Sequence, residues 1–157
     1  MIADELGVTK AAVYHQFATK EEIALAVVQP AIDALAAVAD AAEAQSSRAA
    51  RREAAVTGVV ALMVGNRERA SVLSGDPAMA TLIRAHPDLA TQARRLKAAL
   101  FGSAVDEPEA RVTATLLAGG MATAGRDPSL ADLTDEDLRT HLLTLARRLL
   151  RMRAPHD

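Results

Sequence analysis

Ile2 to Ile23, IADELGVTKAAVYHQFATKEEI, parse into a short helix, a tight turn, a second short helix and the capped start of a third. Gly7 ends the first piece, because glycine takes the left-handed backbone of a helix end at no steric cost. Thr9 caps the next helix, Lys10 to about Gln16, by accepting from its free backbone N–H groups. At about 100° per residue, Val13 and Phe17 share one side while Ala11 and His15 point the opposite way. The short helix therefore has an apolar face for its own domain and a small, polar face for something else. Thr19, with Glu22 three residues later, predicts a capping box opening a long helix to about Ala44. Pro30 falls inside that helix and should bend it. A helix-turn-helix followed by a long helix is a way of laying one helix in the major groove of DNA.

The rest of the chain predicts more helices and no strand. Ser46 and Ser47 cap a helix that carries Val56, Val59, Val60 and Met63 on one face and stops at Gly65-Asn66. A brief helix over residues 67–73 follows, and Asp76-Pro77 starts a segment to about Ala85. Pro87 restarts the helical pattern, which continues to Phe101 under the stripe Leu89, Ala93, Leu96, Leu100. After a connector at 102–106, Pro108 opens a helix to about Ala124 in which alanine and glycine dominate. Thr134 with Asp137 caps the last helix, where Leu138, Leu142, Leu145 and Leu149 make one face, with Leu143 and Leu150 beside it. Arg147, Arg148 and Arg151 crowd its end, where positive charge suits the macrodipole.

Composition agrees with an all-α fold. Half of the 157 residues are apolar but only 2% are aromatic, which favours close-packed helices over a sheet. The absence of cysteine excludes disulfides and thiolate chemistry and fits the cytoplasm. No leader and no long apolar run is present, so neither secretion nor a membrane span is expected. The net charge of −2 is unlike that of a protein that grips DNA mainly through phosphates, so any DNA affinity must come from a local patch. His86, His141 and His156 are too far apart to share a metal, and no nucleophile triad or phosphate loop occurs. The reading is of a protein that is not an enzyme and carries no cofactor or metal.

Residues 7–23, GVTKAAVYHQFATKEEI, combine Gly, Val, a hydroxyl residue, small variable positions, a hydrophobe, Tyr, Phe and a Thr-Lys-Glu start at fixed spacing. In this the chain resembles the TetR family of bacterial transcriptional repressors, over residues 2 to about 28. The resemblance implies an all-α protein with a helix-turn-helix DNA-binding head at 1–28 and an effector-binding and dimerisation body at 29–157. It implies a homodimer on a palindromic operator, released when a small-molecule effector shifts the heads apart. Carried over by position, Thr9, Lys10, Ala11, Ala12 and His15 would lie toward DNA, and Tyr14 and Lys20 would hold phosphates. The chemistry suits those roles: Lys10 can donate to guanine, His15 can donate or accept, and an alanine methyl can meet that of thymine. Lys20 sits at a helix start whose N–H groups also favour anions.

The family's head has a helix before the position of Ile2. The expectation is therefore a start internal to the natural product, with weak DNA binding by the chain from Met1. The rival reading is a helical ligand-binding or interaction protein that has lost DNA binding. In the body, the helix-weakening pair Gly119-Gly120 and the two-sided leucine pattern of the last helix point to a dimeric four-helix bundle formed by the last two helices. An effector cavity among the helices between Ile23 and Phe101 would draw on Val60, Met63, Met79, Leu82, Ile83, His86 and Leu96. Phe101 is the body's only aromatic, so the cavity would be aliphatic and its ligand small and apolar.

Overall fold

A computed structural model of the chain describes residues 19–67, 85–125 and 127–152. Five α-helices make up those residues: α1 (Lys20–Glu43), α2 (Arg48–Gly65), α3 (Pro87–Phe101), α4 (Pro108–Ala124) and α5 (Asp135–Leu149). Short 3₁₀ turns at Gly102–Ala104 and Pro128–Leu130 join the later ones, and no strand occurs among the described residues.

The helix boundaries follow from local chemistry. The Oγ1 of Thr19 accepts from the N–H of Glu22 at 3.1 Å, and the Oγ of Ser47 accepts from Ala50 at 3.1 Å. Thr134 closes a two-way cap: its Oγ1 accepts from the N–H of Asp137 while its hydroxyl donates to that carboxylate at 2.6 Å. Each satisfies a donor that the first turn leaves without an intrahelical partner. Proline opens α3 and α4, where its missing N–H is no loss. Gly102 ends α3 with φ 59°, in the left-handed region that favours glycine.

Helix α2 is central, with apolar groups packed along two sides. Along one, Ala55 meets Ala39 and Ala42 of α1 and Leu96 and Ala99 of α3. Along the other, Val56, Val60 and Val64 meet Leu117 and Met121 of α4 and Leu138, Leu142 and Ala146 of α5. Val59 and Leu100 touch both clusters. In α1 the inward positions Val28, Ile32, Leu35, Ala39 and Ala42 alternate steps of four and three, the spacing of one helical stripe.

The four leucines expected on one face of α5 divide in two. Leu138 and Leu142 are buried with Ala146 and Leu150, while Leu145 and Leu149 stay exposed. The buried row steps by four residues, and each such step turns about 40° around the helix. By the C-terminal end the core-facing side has rotated away from Leu145 and Leu149.

The N-terminal turns of α2 carry Arg48, Arg51 and Arg52, which its own dipole disfavours. Each guanidinium instead reaches a backbone carbonyl at the end of another helix. Arg48 donates to Phe101 at 3.4 Å, Arg51 to Gln45 at 3.1 Å and Arg52 to Leu150 at 2.5 Å. The C-terminal ends of α3, α1 and α5 thus gather around the start of α2, and the arginines satisfy carbonyls that those helices leave open. Burial, helped by neighbouring Arg48, lowers the pKa of Arg52 from its ordinary value. Directly after Arg52, Glu53 pairs with Arg147 of α5, and this hydrogen bond raises the pKa of the arginine.

Candidate functional site

The expected DNA contacts Thr9, Lys10, Ala11, Ala12, Tyr14 and His15 lie outside the described residues. Lys20 is the first residue of α1, directly after the Thr19 cap; its side chain also lies outside them. The segment before residue 19 leads straight into α1, a helix of 24 residues with Pro30 within it. At about 1.5 Å per residue that helix is roughly 36 Å long. It runs unbroken across the expected boundary between residues 28 and 29, so any head formed by the preceding residues is joined to the body through continuous helix.

The far end of α1 is anchored to α3. The guanidinium of Arg95 donates to Glu43 at 2.9 Å through Nε, to the Asp40 carboxylate at 2.6 Å and to Gln92 at 3.0 Å. The hydrogen bond from Arg95 holds the Glu43 carboxyl below its ordinary pKa. Asp40 and Glu43 stand in the last turn of α1, which has no basic residue of its own, so a cation from α3 also offsets the adverse dipole there. Sequence reading missed this anchor. Its only local trace is two carboxylates three apart at a helix end.

The second surface is the outward side of α4 and α5. Val112 and Leu116 of α4 and Leu145 and Leu149 of α5 are the large apolar residues left exposed among those described. The ion pair Arg151–Glu109, at 3.1 Å, places the end of α5 beside the start of α4. The two helices therefore run antiparallel, with Val112 toward the same end of the pair as Leu145 and Leu149 and Leu116 at the middle of α4. On α4 the buried residues Ala110, Ala114, Leu117 and Met121 lie on the side opposite Val112, Leu116 and Gly119. A Cβ at Gly119 or Gly120 would meet nothing within 4 Å, so neither glycine is explained by packing within the described chain. The glycine pair and the leucines were legible in sequence; Val112 and Leu116 were not singled out, although their spacing of four carries the signal.

The described members of the expected effector lining divide between the two clusters and the start of α3. Val60 is fully buried and Met63 half-buried against the α4–α5 cluster, whereas Leu96 belongs to the α1–α3 cluster. His86 caps α3, its Nδ1 accepting from the N–H of Asp88 at 3.3 Å. Met79, Leu82 and Ile83 lie outside the described residues. Among the described residues no group of three or more His, Asp or Glu could hold a metal ion, and no helix is long and apolar enough to cross a membrane.

Residues 1–27 match the family model of the bacterial regulatory proteins, tetR family. Nothing among curated proteins or solved structures matches the chain. The match covers the head alone, and the helices behind it are all α. That N-terminal segment is thus similar to the DNA-binding part of the bacterial tetR-family regulators.

Proposed function

We propose that the protein is a homodimeric repressor that binds a palindromic operator and leaves it when its body takes up a small apolar effector. The observation that carries the DNA half of this reading is the family match over residues 1–27, which runs directly into α1. Thr9, Lys10, Ala11, Ala12 and His15 would face the bases, and Tyr14 and Lys20 would hold phosphates. The outward apolar face of α4 and α5 supports the dimer, because Val112, Leu116, Leu145 and Leu149 each leave more than half of their surface exposed within the described chain. Two-fold pairing of that face would form a four-helix bundle and set two heads side by side. Operator heads must meet successive major grooves about 34–36 Å apart, so a small rotation of the bodies is enough to break the fit. The domains would divide near residue 28, with the protein acting in the cytoplasm.

Replacing Lys20 by alanine tests the phosphate contact. A dimer loses two cations, so the slope of log K against log salt should fall by about 2. An unchanged slope would remove Lys20 from the DNA interface.

A further inference from the structure

Gly58 stands in the middle of α2, where glycine costs about 1 kcal/mol of helix propensity relative to alanine. Its backbone is ordinary helix, so conformational freedom is not what it supplies. It supplies room. A Cβ at this position would lie 2.5 Å and 2.9 Å from the two γ-carbons of Val38 and 3.2 Å from its Cβ. Both methyl groups and their root are involved, and a helical valine is held close to one rotamer, so no rotation of Val38 clears the contact. Helix α1 thus rests on α2 at a distance that only the missing side chain permits. Just beyond Val38, the Arg95 anchor fixes Asp40 and Glu43 to α3.

We propose that Gly58 is a positioning residue: together with the Arg95 anchor it sets the tilt of α1, and through α1 the placement of the DNA-binding segment at its other end. The functional consequence rests on the DNA-binding reading above; the tilt of α1 does not. Relieving the contact made by an alanine at 58 requires a shift of about 1 Å, from 2.5 Å to an ordinary carbon–carbon separation. Along the axis, Val38 lies about 5 Å and Lys20 about 32 Å from the middle of the anchor, at about 1.5 Å per residue. For a straight helix free to pivot on the anchor, the 1 Å push becomes about 6 Å at Lys20, an upper bound that Pro30 and the inward stripe through Leu35, Ile32 and Val28 reduce. Neighbouring heads that must match two grooves would be displaced by a distance their contacts cannot follow.

The distance measurements use the 157-residue chain, whose lack of cysteine makes paired labels unambiguous. Ala26→Cys on α1 and Thr144→Cys on α5, both exposed, carry spin labels, and doubly labelled chains are diluted into unlabelled protein for pulsed dipolar distance measurement. Gly58→Ala should lengthen the separation by several ångströms. Val38→Ala combined with Gly58→Ala, which removes both clashing γ-carbons, should return it to within about 1 Å of the starting value. Operator affinity, followed in parallel, should fall at least tenfold in the single variant and recover in the double one. An unchanged distance in folded Gly58→Ala protein, or an equal displacement in the double variant, overturns the proposal. Should Gly58→Ala fail to fold, Val38→Ala alone should let α1 settle toward α2 and shorten the distance, and no change there overturns it equally. Failure of the unsubstituted protein to bind DNA when it carries its natural N-terminus, with the distance shifts present, sinks the DNA-binding reading and leaves the role of Gly58 in placing α1 intact.

Discussion

Leu116→Asp is the substitution that presses hardest on the proposed assembly. Leu116 keeps 59% of its surface exposed, and Val112 (59%), Leu145 (54%) and Leu149 (51%) are the other large apolar residues left exposed among those described. Full burial of a leucine is worth about 1.5–3 kcal/mol, so covering the exposed share of Leu116 contributes about 1–2 kcal/mol. A two-fold interface uses the residue twice, giving about 2–4 kcal/mol per dimer, before any cost of stripping water from two carboxylates. At about 1.4 kcal/mol per tenfold, the dimer Kd should rise between about 30-fold and 1,000-fold. Sedimentation equilibrium over a wide concentration range measures this directly. Circular dichroism should show the helix content unchanged, since Leu116 makes no part of either buried cluster. Ala90→Asp, at an exposed position on α3 away from the face, serves as the control and should leave Kd where it was. If Leu116→Asp and Leu149→Asp both leave Kd within a factor of about three, the face is not the dimer interface and the reasoning fails.

Gly119→Ala and Gly120→Ala should stabilise the isolated subunit, by about 1 kcal/mol each in a denaturation titration, because a Cβ there meets open space within the chain. If a partner helix approaches the pair closely, the same substitutions should weaken dimerisation; tighter dimers would show that the glycines do not lie at the crossing. Val60→Ala deletes two methyl groups from a fully buried site and should cost about 2–3 kcal/mol of stability. A loss under about 0.5 kcal/mol would mean that the cluster between α2, α4 and α5 is not tightly packed. The depressed pKa of Glu43 makes the Arg95 anchor pH-dependent. A carboxyl with a lower pKa in the folded state stabilises above its unfolded value, and that contribution is lost as pH falls through the folded value. The stability difference between the unsubstituted protein and Arg95→Ala should therefore be full near neutrality and shrink in acid below about pH 4. A pH-independent difference would mean that the anchor acts by packing alone.

The helices of the body were legible because their ends are written locally. Thr19, Ser47, Thr134 and the prolines at 87 and 108 each mark a boundary with chemistry contained within a few residues. The stripe through Val56 and Val60 likewise announced one side of α2. What escaped was long-range. Nothing near Arg48, Arg51 or Arg52 in the chain says that each will meet the end of a different helix, and Arg95 lies more than fifty residues from the carboxylates it holds. Gly58 reads in isolation as a mild helix breaker, and only the approach of Val38 explains it. The split of the α5 leucines depends on how the row of core contacts winds around that helix, which periodicity alone does not specify. For the candidate site the balance is reversed. The motif in residues 7–23 carries the DNA-binding reading, through fixed residue types at fixed spacing, while the described structure contributes the helix to which it is joined.

The most direct test of the central claim is DNA binding by the protein carrying its natural N-terminus to the promoter region of its own gene, measured by gel shift against a scrambled fragment of equal length and composition. The account predicts a discrete complex on the promoter fragment, far tighter than on the scrambled one and weakening steeply as salt is raised. Equal affinity for the two fragments, or none for either from protein shown to be folded and dimeric, would contradict it.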